Sequence, residues 1–487
     1  MSDTDEAIGT LRLVEPKVMS AADTYAVRMG IALSQLISRA AQAITQHIGD
    51  RTHGLRIAIL AGPGNNGGDG VAVQELLSRA GANVHGFAFG RSDVDWASIE
   101  SFQPESYDFV VDALFGGGLT RDVTGEVADA IRRLNASSCH ILSVDLPSGI
   151  DGASGAERGV AIRADETLTF VRMRPGHLLM PGRECCGTVT VSDIGMPDAA
   201  LLEALADQQP LWRNTPDLWT PALRMPTASG HKFDRGHAIV LGGGASHTGA
   251  ARMTAMAALR AGAGLVTLLS PGSAMMVNAA HLTAVMLQRC DDAEQLTMLL
   301  SDDRLNAAAI GPGFGIGAAA RDCALALLGA ERKVVLDADA LTSFQASPEA
   351  LFGALGGKGD CVLTPHGGEF ARLFPDIAAR EAAKPAKARA AAQRAGAVVV
   401  LKGADTVIAA PDGRAAVNAT GTSWLATAGS GDVLGGIILG QLASGVPAFE
   451  AACAGVWMHG RAAELFGPGL IAEDLPGLLP AVLRELV

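Results

Sequence analysis

Twice along the chain a short apolar run leads into a glycine-rich turn and then into a stretch of helical length. The first instance is LRIAILAGPGNNGGDGVAVQELLSRAG, from Leu55 to Gly81, followed by VHGFAFG, YDFVVDALFG and HILSVDLPSG. The second is GHAIVLGGGASHTGAARMTAMAALRAGAG, from Gly236 to Gly264, followed by AAAIGPGFG, KVVLDADAL, DCVLTPHGGE and AVVVLKGAD. Short apolar runs spaced by helix-length segments predict buried parallel strands in βα units, hence an α/β chain. At 487 residues there is material for two or three cores. The proline-rich, aperiodic stretch at 208–226 is the expected boundary, giving domains 1–210 and 214–487. Residues 17–48 predict one or two amphipathic helices, packed on the first sheet or on a second subunit.

Composition removes several function classes. Hydrophobic residues at 48% and charged residues at 18% indicate a packed chain and not a disordered one. With 38 Lys and Arg against 51 Asp and Glu, the net charge is −13, and no Lys/Arg run is present, so no nucleic-acid partner is expected. Anionic small molecules stay open, because helix N-termini and glycine amides bind them without net positive charge. Seven scattered cysteines without a C-x-x-C pair fit a reducing cytoplasm, with Cys185 and Cys186 expected as strand-edge thiols. The acidic N-terminus, MSDTDEAIGT, lacks a signal-peptide pattern. The uncharged stretch Ala261 to Gln288 is broken by Ser-Pro-Gly-Ser and reads as strand, turn and helix, so no membrane partner is expected.

In the first half, Gly62-Pro63-Gly64-Asn65-Asn66-Gly67-Gly68-Asp69-Gly70 follows a strand and opens a helix. Its glycines are expected to permit close approach and positive φ, and the helix N-terminus favours anions. Asp112 and Asp145 end two later strands, before Leu-Phe-Gly-Gly-Gly-Leu-Thr-Arg-Asp and Leu-Pro-Ser-Gly-Ile-Asp-Gly loops. In an open parallel sheet these loops converge at the C-terminal strand edge. Either aspartate alone also reads as a helix cap. Oxygens of Asn66, Asp112 and Ser148, with main-chain carbonyls, suit a hard cation.

GPGNNGGDG, VDALFGGGLTRD and VDLPSGIDG, in this order, resemble the NAD(P)H-hydrate epimerase family over residues 15–205. The resemblance implies a Rossmann-like three-layer α/β/α domain that dimerises and interconverts the C6 epimers of hydrated NADH or NADPH. It implies hydrate contacts from Asn65, Asn66, Gly67, Gly68 and Asp69, and from Gly116, Gly117, Gly118, Leu119, Thr120, Arg121 and Asp122. It places Asp145 near the reacting carbon as the catalytic residue, and a potassium ion on Asn66, Asp112 and Ser148. The family's Leu-Met-Glu-x-Ala-Gly segment is replaced here by LISRAAQAI.

In the second half, Ala428-Gly429-Ser430-Gly431-Asp432 precedes an apolar helix, an arrangement that offers an anion hole beside a carboxylate. Such a carboxylate suits a general base toward a hydroxyl meeting a phosphoryl group. Leu401-Lys402-Gly403-Ala404-Asp405-Thr406 ends a strand and brings Lys402 and Thr406 toward phosphates. Singly, GSGD reads equally as a helix cap and His366 as a satisfied loop histidine. Together, HKFDRGHAIVLGGG, DADAL, TPHGGEFARL, LKGAD and LATAGSGDVLGG resemble the ADP-dependent NAD(P)H-hydrate dehydratase branch of the ribokinase-like fold, over residues 229–475. The resemblance implies hydrate contacts from Ala251, Gly315, His366 and Asp432. It implies adenine-nucleotide contacts from Lys402, Gly403, Ala404, Asp405, Thr406 and Gly431, with ADP as co-substrate and Mg2+. Asp432 is then the base that activates the C6 hydroxyl for phosphorylation, and phosphate is the better leaving group.

The joint expectation is a bifunctional repair enzyme for NADH hydrate and NADPH hydrate, forming a homo-oligomer. One rival is a small-molecule kinase acting on hydroxymethylpyrimidine or a sugar with Mg-ATP. Another makes the first half a catalytically silent binding module.

Overall fold

The computed structural model describes residues 9–380 and 382–486; the acidic residues 1–8 lie outside them. It separates into two compact units, 12–209 and 210–487, the few described residues before Arg12 going with the second.

The first unit is built on β1 (Arg56–Ala61), β2 (Asn83–Ala88), β3 (Ala97–Ser98), β4 (Phe109–Ala113), β5 (His140–Val144), β6 (Glu166–Phe170) and β7 (Thr188–Ser192). Their order is β3-β2-β1-β4-β5-β6-β7, with every pairing parallel. The order reverses between β1 and β4, which opens a crevice at the strand C-termini. Near-continuous apolar runs such as Ile57-Ala58-Ile59-Leu60 are fully buried, as a sheet covered on both faces requires. Residues 17–48 form two helices, Pro16–Arg28 and Leu33–Ile48. Leu36, Ala40, Ala41, Ile44 and Ile48 make the helical stripe that enters the core with Ile57 and Ile59. Cys185 ends a short helix, Gly182–Cys185, and Cys186 follows it; both are buried, so they are not strand-edge thiols.

The second unit carries β8 (Leu211–Asn214), β9 (His237–Leu241), β10 (Leu265–Ser270), β11 (Met286–Arg289), β12 (Leu305–Ile310), β13 (Lys333–Leu336), β14 (Val362–Leu363), β15 (Val398–Leu401), β16 (Val407–Ala409) and β17 (Ala415–Asn418). The order is β11-β10-β9-β12-β13-β14-β15-β16-β17-β8. Pairings are parallel from β11 to β15, antiparallel through β16 and β17, and parallel again onto β8. The helix Ser430–Ala443 is apolar on all sides and buried along most of its length. It lies close to Thr248–Ala261 because Gly436 and Gly440 have no side chain; a Cβ on Gly436 would meet the Thr254 carbonyl oxygen at 2.3 Å. No described helix is long and apolar enough to cross a membrane.

The proline-rich stretch expected to be a linker is partly structure. Leu211–Asn214 is an edge strand on β17, and Trp219 is fully buried. Asn214 Nδ2 donates to Asn418 Oδ1 at 3.1 Å and to the Cys453 carbonyl at 2.8 Å. A fragment 210–487 is therefore expected to melt several degrees above 214–487. Losing Leu211 and the β8 ladder costs roughly 2 kcal/mol. Equal melting temperatures by calorimetry would contradict this.

Candidate functional site

Asn65 and Asn66 occupy the first turn of the helix Asn65–Arg79, which starts at Gly64 directly after β1. None of the five glycines from Gly62 to Gly70 has positive φ, contrary to the expectation from sequence. They serve close packing instead. A Cβ on Gly62 would lie 1.8 Å from the Leu114 carbonyl oxygen, and one on Gly67 equally close to that of Gly62.

Beside this turn is a cavity of about 630 Å³. Asn65, Asn66, Asp69, Gly116, Gly117, Gly118, Leu119, Thr120, Arg121 and Asp145 all line it. Gly67, Gly68 and Asp122 do not. Sequence reasoning missed Asp23 of the first helix and Arg174 after β6, which also line it.

Asp145 is the residue after β5 and holds φ at 64°, a left-handed conformation that aspartate and asparagine tolerate better than most. It is no helix cap. Its Oδ2 accepts from the Gly117 amide at 3.1 Å, and its Oδ1 from Thr169 Oγ1 at 2.9 Å and from Arg174 at 3.0 Å. Burial pushes its pKa up, but Arg174 and these donors outweigh burial and hold it below the usual carboxylate range. Buried His177 accepts from the Arg174 amide through Nδ1, so its Nε2 donates to the Asp145 carbonyl at 2.7 Å. Burial takes that imidazole down to about 4, so it is neutral. Asp69 moves the other way: burial, then the charges of Asp145 and Asp23, raise it well above the ordinary value. Two carboxyls in one cavity with pKa values driven apart suit acid and base roles.

Asp112, at the end of β4, is fully buried, which raises its pKa against hydrogen bonds from Ser148, Ser143 and Leu114. Ser148 Oγ lies 2.6 Å from Asp112 Oδ1 and 3.1 Å from the Phe115 carbonyl oxygen. Every donor to Asp112 is neutral, and Asn66 Nδ2 is buried without an acceptor. A buried carboxylate, a hydroxyl, a main-chain carbonyl and an amide suit a hard monovalent or divalent cation.

In the second unit, the ends of β13 and β15 and the start of one helix supply the polar groups. Asp337 follows β13, is 2% exposed, and accepts from the Ala338 amide at 2.9 Å and from Lys402 Nζ at 2.7 Å. Lys402 follows β15, and its amide donates to the Pro365 carbonyl. Gly431 stands beside this ion pair: a Cβ there would be 3.4 Å from Lys402 Nζ. The helix Ser430–Ala443 begins after left-handed Gly429, with Asp432 in its first turn and the Asp432 carbonyl accepting from Thr254 Oγ1 at 3.0 Å. Burial first, then the charges of Asp337 and Asp339, push Asp432 up to about 6 against the pull of Lys402. A base titrating near the working pH suits proton abstraction.

The other expected residues are placed as follows. Thr406 Oγ1 closes the Gly403–Thr406 turn, and Asp405 holds Lys384, a cation that sequence reasoning missed. Gly315 is exposed at φ 105° and donates to Asp339 Oδ2 at 2.9 Å. His366 caps the helix Gly367–Leu373, its Nδ1 accepting from the Gly368 amide at 2.9 Å. Ala251 is 1% exposed, within the core. Asp337 had a sequence signal in DADAL, directly after an apolar run.

Two α/β units, one with a parallel sheet and one with a largely parallel sheet, each with tuned carboxylates beside its strand ends, define a two-site α/β enzyme. Residues 33–176 match the family described as YjeF-related protein N-terminus, and residues 238–476 match that described as NAD(P)H-hydrate dehydratase. The chain is 35% identical to the bifunctional NAD(P)H-hydrate repair enzyme Nnr of Moorella thermoacetica, over 92% of this chain and 91% of that protein. It is 32% identical to the Escherichia coli protein of the same name, over 94% and 91%. A ribokinase-like superfamily protein from Enterococcus faecalis shares the fold over 57% of this chain and 96% of its own, with a TM-score of 0.50 at 23% identity. The chain belongs to the family of bifunctional NAD(P)H-hydrate repair enzymes.

Proposed function

We propose that residues 12–209 interconvert the R and S forms of NADH and NADPH hydrate at C6. Residues 210–487 dehydrate the S form to NAD(P)H, converting ADP to AMP and phosphate. The observation that carries the reading is Asp432, a carboxylate held near pH 6 beside a helix N-terminus and the Asp337–Lys402 pair. There Asp432 takes the C6 hydroxyl proton as the oxygen meets the nucleotide's terminal phosphoryl group. Gly431 and the first-turn amides hold phosphate oxygens, Lys402 neutralises them, and Gly403–Thr406 seat the nucleotide. Phosphate then leaves C6 with the electron pair of the C6–O bond, and the resulting iminium loses a proton from C5 to solvent, which restores the C5=C6 double bond of the dihydronicotinamide. Asp337, Asp339 and Asp432 outnumber Lys402 here, which fits Mg2+ carried on the nucleotide phosphates. In the first unit, ionised Asp145 faces the reacting carbon, and Asn65, Asn66, Asp69 and Gly116–Arg121 enclose the hydrate. Ala251, Gly315 and His366 complete the second hydrate site, Ala251 from behind.

Asp112, Ser148 and the Phe115 carbonyl, with the Asn66 amide oxygen, would hold potassium, which neutralises the buried carboxylate and ties the β4 and β5 loops. Exchanging potassium for tetramethylammonium is expected to slow epimerisation and lower the melting temperature of the first unit, with dehydration unchanged. Unchanged melting and epimerisation would remove the ion from the reading. Seven unpaired thiols support a cytoplasmic setting, and the exposed apolar Val27 and Met29 support self-association.

The test presents the protein with mixed epimers and ADP and follows dihydronicotinamide at 340 nm. Full conversion of both epimers is expected. Phosphorylation of hydroxymethylpyrimidine or a sugar from Mg-ATP, with no dehydration, would establish the kinase instead.

A further inference from the structure

The first cavity holds more acid than its bases can balance. Asp23, Asp69 and Asp145 all line it, and Arg174 is the guanidinium within contact of Asp145. Arg121 also lines the cavity but is exposed. Arg174 is committed to Asp145 and to the Arg172 carbonyl. From β2's far end, Arg91 is spent on the Gly62 carbonyl at 3.0 Å and on Asp93. From the helix Leu33–Ile48, Arg39 binds the Ile194 and Gly195 carbonyls, His47 binds Glu166, and the residues lining the cavity are the apolar Leu33, Leu36, Ile37 and Ala40. His177 is buried against the Asp145 carbonyl. Asp69 is 8% exposed, and no donor among the described residues reaches its carboxyl. A buried carboxyl facing a ligand cavity with two acidic neighbours and no donor is stable only with its proton on.

From this we infer that Asp69 is the general acid of the epimerisation, delivering a proton to the C6 hydroxyl while Asp145 serves as the base. The inference rests on the reading of residues 12–209 as the epimerase. Asp69 gives its proton to the C6 oxygen, and the C6–O bond breaks with its electron pair leaving on water. The ring nitrogen lone pair forms the N1=C6 iminium, whose charge ionised Asp145 faces. Water adds to the other face of C6 and loses a proton to Asp145. Proton exchange through solvent returns Asp145 to its ionised form and Asp69 to its acid form, so the net change is inversion at C6. Asp23 is a positioning residue in this scheme: its charge keeps the proton on Asp69.

Asp69→Asn copies the shape of the neutral acid without its proton. In the full-length protein it is expected to lower epimerisation above the uncatalysed background by roughly 10²–10⁴ while melting like the parent. Asp23→Asn removes a negative neighbour, so Asp69 loses its proton at lower pH. The alkaline limb of the epimerase pH–rate profile is then expected to move to lower pH, with little change in the acid limb. Parental epimerisation in Asp69→Asn, or an unmoved alkaline limb in Asp23→Asn, overturns the assignment. If Asp69→Asn fails to fold, the Asp23→Asn profile decides alone. Should the parent itself not accelerate epimer exchange, the functional reading has failed, a result distinct from either variant's.

Discussion

Asp432→Asn is expected to lower dehydration by roughly 10²–10⁴, the usual contribution of a positioned general base, while ADP affinity holds or rises. The amides that would hold phosphate belong to the backbone of the Ser430–Ala443 turn, which Gly429 and the Thr254 bond to the Asp432 carbonyl fix independently of the side chain. Nucleotide binding and turnover therefore separate. The raised pKa adds a second signature. Between the ordinary value of 3.8 and about 6, the folded protein binds more protons at this group than the unfolded chain, so stability falls as pH rises through that window. Removing the carboxylate removes that penalty, and the variant is expected to melt higher than the parent at neutral pH. The parent's rate should rise through pH 6 as Asp432 ionises. Asp337→Asn removes the largest opposing charge and frees Lys402, so that limb moves to lower pH; Lys402→Ala moves it up and weakens ADP. Calorimetric ADP titration, single-turnover formation of NADH and pH–rate profiles check each point. Normal turnover in Asp432→Asn would place the base elsewhere, and loss of ADP binding together with stability would make Asp432 a strut of the turn.

Asp145→Asn is expected to cost epimerisation a similar factor, roughly 10²–10⁴, with the opposite effect on stability. Asparagine accepts the left-handed φ of 64°, so the backbone keeps its course. Arg174, with its side chain 6% exposed, is left without its counter-charge. Breaking a buried pair from one side costs about 3–5 kcal/mol in full, and less where the amide oxygen still accepts a hydrogen bond. Because the folded pKa of Asp145 lies below its unfolded value, its contribution is present above the unfolded pKa and lost as pH falls through the folded one. The variant should thus melt lower at neutral pH and converge with the parent in acid. Asp145→Asn with Arg174→Met should regain stability without activity. Parental epimerisation in the single variant would reduce Asp145 to an anchor for Arg174 and the Gly117 amide.

The opposite stability changes expected for the two aspartates follow from their partners. Asp432 stands among like charges with Lys402 already drawn to Asp337, and Asp145 is paired directly with Arg174. Neither environment is legible from VDLPSG or AGSGD, although each motif marks its residue as the end of a strand or the start of a helix.

Local grammar carried the sequence reading. Strand, glycine turn and helix are consecutive, and a parallel sheet gathers its strand C-termini at one edge, so the approach of Asn65, Asn66, Asp69 and Asp145 to one cavity was legible, as was that of Lys402 and Asp432 to each other, while Asp112 lies outside the cavity lining. Partners from distant segments were not. Arg174 meets Asp145 only because β5 and β6 pair, Asp23 arrives on a helix that precedes the sheet, and Lys384 reaches Asp405 from another helix. β8 was hidden in a proline-rich stretch because its pairing with β17 spans some two hundred residues, a long-range ladder that leaves no period in four residues. Hydrophobic period and turn chemistry within a few residues suffice to specify two α/β units and the reactive residue types near their strand ends. Which carboxyl keeps its proton depends on burial and opposing charge, and these are supplied by segments that meet only when the sheet is assembled.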